Sequence, residues 1–322
     1  MPSPGPRDLL VEIRAASVNP VDYKIRSGGQ RALIHYGLPW VLGLDFSGVV
    51  TKVGERVTRF AVGDEVYGSP THRRPGCYAE HLLVDERMAA RKPKNLTHHE
   101  AASIPLVGLT AWGAVVVQGR LQAGQKAFIM AGSGGVGSFA IQLAKDLGAY
   151  VATTCSARNV DLVRSLGADE VIDYNETKFE DVLKDYDFVL DAIGGETRDA
   201  ALGVMKRGGQ LATMISGFPA AAHKYGAVRG PFVAVAGIVS LVTRAKLLHG
   251  VTVHMVLRDS DGRLLDPITS RIEAGTIRPV IDRVYPLEQI VEAHTYLETG
   301  RARGKIIIDP TVREAPSSEE EE

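Results

Sequence analysis

A chain of 322 residues, 45% apolar and 23% charged, has the length for about two domains and the composition for well-filled cores. Its formal net charge of −1 gives no broad basic field to attract nucleic acid or an anionic membrane. The two cysteines, Cys77 and Cys155, form no C-x-x-C pair and are too few for a disulfide framework, so both read as free thiols.

The opening Met-Pro-Ser-Pro-Gly-Pro-Arg has no apolar signal core, and the expected location is cytoplasmic. Leu9–Ile13, Gly43–Val53, Glu65–Tyr67 and Ala79–Val84 read as strands, parted by Gly54-Glu55 and Gly63-Asp64 turns. Short strands of this kind suggest a small barrel. Thr97-His98-His99-Glu100 is a capping box, with Thr97 closing a helix start and Glu100 reaching back. Its adjacent histidines point to different helix faces and lack an i,i+4 partner, which argues against a metal site.

From Lys126 strands and helices alternate. The strands are Ala127–Ala131, Tyr150–Thr154, Glu170–Asp173, Phe188–Ala192 and Gln210–Ile215. Between them run helices Val136–Leu147, Val160–Leu166, Lys178–Lys184 and Thr197–Met205. This alternation implies a parallel sheet with helices on both faces. Ser216–Gly250 reads as an apolar, partly helical insertion. Its most apolar run, Pro231–Val242, is about twelve residues where a bilayer span needs about 20, so no span is expected. Thr252–Leu257 returns to strand and Leu264–Ala274 to helix. Ile277–Pro310 holds a proline-marked strand, a helix over Leu287–Leu297 and a final strand Lys305–Ile308. Residues 312–322, rich in glutamate, read as a disordered acidic tail.

Gly132-Ser133-Gly134-Gly135-Val136-Gly137 fits G-x-G-x-x-G between a strand and a helix. The first glycine permits the tight turn, the second lets backbone approach a pyrophosphate, and the third allows close helix–strand packing. Amides at the helix start then face the phosphates. An NAD site usually carries an acid at the end of the next strand. Here the stretch is Thr153-Thr154-Cys155-Ser156-Ala157-Arg158, without a carboxylate. A Ser156 hydroxyl and an Arg158 guanidinium suit a 2′-phosphate, so the expected cofactor is NADPH. The plainer alternative leaves Arg158 facing solvent at a helix start. Tyr174 and Lys178 match the Tyr-x-x-x-Lys pair of short-chain dehydrogenases, but Tyr174 ends a strand, so the two do not share a helix face.

With these motifs on the page the chain resembles the quinone oxidoreductases of the medium-chain dehydrogenase/reductase superfamily. Ala131–Gly137, Leu166–Tyr174, Asp191–Gly195, Val18–Asp22, Gly108–Ala111, Arg278–Asp282 and Gly300–Lys305 carry the likeness. The stretch after Ser216, ending in His249-Gly-Val-Thr, is most similar to the branch of reticulon-interacting oxidoreductases and plant-type enone reductases. The resemblance implies an α/β fold: a doubly wound Rossmann sheet over residues 107–276 and a chaperonin-10-like barrel over 1–106 and 277–311. It implies that Tyr174 packs near the adenosine 2′-phosphate and Thr110 near the nicotinamide. Asn19 and Asp22 would line the substrate side, while Ser216, Phe218, Arg303 and Lys305 close the pocket. A turn preceding a helix is the plainer account of Asn19 and Asp22. Relatives are often dimers through the sheet edge of the nucleotide domain, so a homodimer is expected. Two further strands usually precede the segment at Pro2–Pro6, which leaves this barrel expected to be short of an edge or its start displaced.

Zinc alcohol dehydrogenases carry Gly-His-Glu where this chain has Gly43-Leu44-Asp45, and a cysteine near Asn19-Pro20. Three or four soft or imidazole ligands are not in evidence, so no metal is expected. The reading is hydride transfer from NADPH to a quinone or an α,β-unsaturated carbonyl, with Asn19 as candidate oxyanion donor and the last proton from solvent or Tyr23. The alternative is an NADPH-binding sensor or partner-regulated protein with little turnover.

Overall fold

The computed structural model describes residues 3–28, 38–214 and 218–312. In chain order the first elements are β1 (Asp8–Val18), α1 (Pro20–Arg26), β2 (Phe46–Val53), β3 (Glu65–Gly68), β4 (His81–Asp85) and β5 (Ala89–Arg91). Helices α2 (His98–Ala102) and α3 (Pro105–Trp112) follow, and α3 runs on into a π-turn over Gly113–Gln118. The alternating half comprises β6 (Lys126–Ile129), α4 (Gly135–Asp146), β7 (Tyr150–Cys155), α5 (Val160–Ser165), β8 (Glu170–Asp173), α6 (Phe179–Val182), β9 (Tyr186–Asp191), α7 (Gly195–Gly203) and β10 (Met205–Thr213). Then come α8 (Phe218–Arg244), β11 (Thr252–Met255), α9 (Asp266–Glu273), β12 (Ile281–Pro286), α10 (Ile290–Glu298) and β13 (Lys305–Asp309).

Two sheets divide the work. The first has the order β12-β13-β1-β2-β3-β5, with β4 also pairing β1. Its spine is β1, nearly all buried because β13, β2 and β4 all pair with it. The C-terminal strands therefore complete the N-terminal sheet. The strand expected over Leu9–Ile13 extends to Val18, since Ala15 to Val18 are buried beneath the β13 isoleucines. Only Phe46–Val53 of the expected Gly43–Val53 strand is extended. Gly43 has φ +97° in a turn, where a Cβ would strike the Tyr78 ring at 2.7 Å.

The second sheet is wholly parallel, in the order β8-β7-β6-β9-β10-β11. The chain starts at β6 in the middle, builds outward to β8, then crosses back to β9. Ligands of such sheets bind at the carboxyl ends where the order reverses, beside β6. Its core joins Phe128, Tyr186, Phe179 and Val189 on one face and Ile129, Val151, Phe139 and Leu190 on the other.

The insertion is more helical than its sequence suggests. α8 kinks at Gly226 (φ +81°) and continues as a π-turn through His249, so Arg229–His249 forms a 21-residue helix whose most apolar stretch has mean hydropathy 1.6. That is long and apolar enough to cross a bilayer, against the run of about twelve residues read from sequence. Leu241 and Ala245 nevertheless pack into the sheet core with Leu202, Val204 and Val251.

Candidate functional site

The glycine loop leaves β6 at Ala131, which holds φ +54°, a left-handed conformation rare outside glycine. A Cβ at Gly132 would lie 2.1 Å from Thr153 Oγ1, and one at Gly137 would lie 2.2 Å from the Ala131 carbonyl. Both glycines are required by the protein itself. Gly134 is different: a Cβ there meets nothing nearer than 3.4 Å, so the free protein has room for it. Gly134 also precedes the first turn of α4 without any side-chain cap, leaving the helix-start amides of Gly135, Val136 and Gly137 directed outward. A backbone kept bare at a helix start fits a pyrophosphate and its charge.

The neighbouring strand ends gather the second half of the cofactor site. Ser156 caps a short 3-10 turn after β7, and Asn159 Nδ2 donates to Ser133 Oγ (3.0 Å) and Ser156 Oγ (3.3 Å). Arg158 Nη2 donates to the Arg301 carbonyl at 2.8 Å, and Arg303 Nη2 to the Arg158 carbonyl at 3.3 Å. Tyr174, 61% exposed, follows β8 with its amide on the Cys155 carbonyl. Ser133 and Ser156 are thus joined through Asn159, Arg158 is joined to the 301–303 segment, and Tyr174 follows the adjacent strand. Arg158 is exposed at the start of this turn, and the 301–303 segment gives its guanidinium one backbone acceptor. Sequence reasoning missed Asn159, which no motif marks.

Gly304 donates to the Ser133 carbonyl at 2.8 Å, and its φ of +66° lets the chain pass under Val280. This hook carries the next residue, Lys305, inward. The Lys305 ammonium bonds the Val18 carbonyl (3.0 Å), Asn19 Oδ1 (2.5 Å) and Asp45 Oδ2 (3.2 Å). Asp45 is wholly buried and accepts further bonds from Ser17 Oγ (2.7 Å), Asn19 Nδ2 (2.8 Å) and the Leu106 amide (2.7 Å). Burial pushes the Lys305 pKa down, while Asp45 and Asp22 hold it up.

Two expectations change here. Lys305 was expected to close the cofactor pocket, but its ammonium is spent on interior partners, and only its stem lies against Gly135. Asn19 was expected to donate to a substrate oxyanion. It is 1% exposed, and its amide gives Nδ2 to Asp45 and the Ser17 carbonyl, with Oδ1 taken by Lys305. Asn19 is therefore a positioning residue, and Asp45 is the hub that sequence reasoning passed over.

Asp22 forms the other buried acid. Its Oδ2 accepts from the Asn19 amide (2.9 Å) and from Tyr78 Oη (2.8 Å), closing the first turn of α1. Its Oδ1 is buried with no partner among the described residues. Burial raises its pKa to about 6, opposed by the Tyr78 and Asn19 bonds. Tyr23, one residue on, lies instead in the field of Glu298 on α10, and burial raises its pKa. Thr110 sits in α3 with its hydroxyl donated to the Leu106 carbonyl at 2.7 Å, which leaves its lone pairs as acceptors. Ser216 lies outside the described residues, and of Phe218 only its place at the start of α8 is described. A cavity of about 670 Å³ between Arg120, Asp187, Arg207 and His254 opens at the opposite, amino-terminal end of the second sheet, away from these strand ends.

Comparison with known proteins decides the family. Residues 5–94 match the model described as alcohol dehydrogenase GroES-like domain, and residues 166–308 the model described as zinc-binding dehydrogenase. The mitochondrial NAD(P)H oxidoreductase RTN4IP1 of Mus musculus is 38% identical over 94% of this chain and 82% of its own length. The chain belongs to the quinone oxidoreductase family of the medium-chain dehydrogenases/reductases. The 2-methylene-furan-3-one reductase of Solanum lycopersicum is 37% identical over 94% of this chain and 71% of its own. The quinone oxidoreductase structure from Coxiella burnetii superposes with TM-score 0.79 at 31% identity, covering 97% of this chain and 92% of that one. Within this family frame, the described residues include no group of three or more His, Cys, Asp or Glu placed to hold a metal ion.

Proposed function

We propose that this quinone oxidoreductase family member is an NADPH-dependent reductase of quinones or α,β-unsaturated carbonyls that works without zinc. The observation that carries the reading is the bare Gly134 backbone at the start of α4, beside a corner built from Ser133, Ser156, Arg158 and Arg303. When bound there, NADPH supplies a hydride.

The chain's own residues do the rest. The α4 amides and Ser133 hold the pyrophosphate, and the Ser156–Arg158 corner holds the extra phosphate by charge-assisted bonds. The Asp45–Lys305–Asn19 network fixes β13 against the barrel, so the glycine loop and the acceptor side of the cleft keep one geometry. In place of a metal site, Leu44 is buried and apolar beside Asp45, and Cys77 is isolated with its thiol pushed up by burial. Lys305 forms the ion pair with Asp45, and the buried Arg258 adds positive charge nearby.

We assign the last proton to Asp22 rather than Tyr23. Its carboxyl keeps its proton up to a pH of about 6, well above the usual carboxylate range, and Oδ1 is the oxygen with no partner among the described residues. Enone reduction is expected to be faster at pH 5.5 than at pH 7.5, following a group with a pKa of about 6, and to be flat in Asp22→Asn. A wild-type profile that is flat across this range would remove the assignment. The same carboxyl bears on stability. Between about pH 4 and 6 the unfolded chain has lost this proton and the native chain keeps it, so stability falls as pH rises through the window. Asp22→Asn should abolish that slope, on the order of 3 kcal/mol in total.

A homodimer is proposed through β11, one of the two edge strands of the parallel sheet. The reading is tested with a panel of quinones, enals and enones, each with NADPH and NADH. Turnover of at least one class with NADPH is expected. Saturable NADPH binding without turnover of any would make the protein a sensor instead.

A further inference from the structure

We infer that the outer face of α8 docks the protein onto an anionic lipid bilayer. A crossover helix covering a sheet normally turns a polar face to water. Here the most apolar stretch of Arg229–His249 has mean hydropathy 1.6, and only 17% of its residues are buried. Its inward stripe is narrow: Ala234, Leu241 and Ala245. Its outward face is largely apolar, with Phe232 75%, Val239 57% and Leu247 72% exposed beside Val233, Val235 and Leu248, and only small polar residues, Ser240 and Thr243, between its cationic ends. Single exposed apolar residues are ordinary on protein surfaces, but this many along one helix mark an interaction face.

Charge identifies the partner. From Ala200 to Arg258 the chain has no Asp or Glu and seven Lys or Arg. The net charge of −1 conceals this concentration. Lys224 and Arg229 precede the apolar strip, while Arg244 and Lys246 follow it, Arg244 also pairing Asp199 at 3.0 Å. An apolar face between cationic ends is the pattern of a helix lying in the headgroup plane, its long basic side chains reaching the phosphates. A second copy fits poorly, because two-fold pairing of these helices sets cationic end against cationic end. Leu241 and Ala245 are rooted in the sheet core, so the helix lies on the bilayer rather than through it. α8 begins five residues after β10 ends at Thr213, on the same side as the nucleotide loops. Docking holds whichever acceptor is reduced, and its test needs no turnover.

The full chain is sedimented with phosphatidylcholine vesicles, with and without phosphatidylglycerol. Binding to the anionic vesicles is expected to be about tenfold tighter or more, weakening as salt is raised. Phe232→Glu/Val239→Glu/Leu247→Glu should abolish it while keeping the unfolding temperature, the oligomeric state and turnover of a soluble acceptor. Should that variant not fold, Arg229→Gln/Lys246→Gln leaves the apolar face intact and is expected to weaken anionic binding about tenfold. Wild type that stays in the supernatant, or a charge variant bound as tightly as wild type, overturns the proposal. So does a glutamate variant whose oligomer dissociates, since the face would then belong to a second copy.

Discussion

Lys305→Met should cost about 3 kcal/mol in stability, and Asp45→Asn in the same chain should restore more than half of it. Removing one partner of a buried ion pair leaves the other charged in a low-dielectric site, a penalty of about 3–5 kcal/mol. Asp45 keeps donors from Ser17, Asn19 and the Leu106 amide, which sets the loss toward the lower end. Asparagine removes the stranded charge and still accepts from Leu106. Denaturant unfolding of the two single variants and the double variant gives the coupling directly. A Lys305→Met loss below about 1 kcal/mol would show that the ammonium is not the counter-charge of this network.

The second large effect separates two glycines three residues apart. Gly134→Val should leave unfolding within about 1 kcal/mol of wild type and weaken NADPH binding about 100-fold or more. Its Cβ finds open space in the free protein and stands where the fingerprint needs bare backbone. Gly137→Val should fail at the earlier step. Its Cβ meets the Ala131 carbonyl at 2.2 Å and the Gly132 Cα at 2.9 Å, so α4 must leave its strand and the fold itself loses several kcal/mol. Thermal unfolding with and without NADPH distinguishes them. Equal destabilisation by both substitutions would mean that Gly134 serves packing, not the ligand.

The nucleotide half was legible because its signals are local. A strand, a glycine loop and a helix start lie within a dozen residues, and the β-α alternation leaves one sensible sheet. Ser156 and Arg158 could be picked out because they occupy the place where an acid is otherwise found. The catalytic side was harder to read because its contacts are long-range. Asp45 meets Lys305 across 260 positions, and nothing around either residue announces the other. Asn19 looked like a donor because it is polar and near a cleft. Only packing shows its amide already committed. Asp22 caps the first turn of α1, as the plainer account of a turn preceding a helix has it, but the burial that raises its pKa and the Tyr78 hydroxyl that meets it come from a segment far along the chain. The length of α8 escaped a reading by apolar runs because glycines, serine and threonine interrupt the strip without breaking the helix.

Fluorescence titration of NADPH and NADH into wild type and Ser156→Ala/Arg158→Ala tests the central claim most directly. The site described here predicts NADPH bound at least about tenfold tighter than NADH. That preference should vanish in the variant while NADH affinity stays put. Equal or tighter binding of NADH by the wild type would contradict the account.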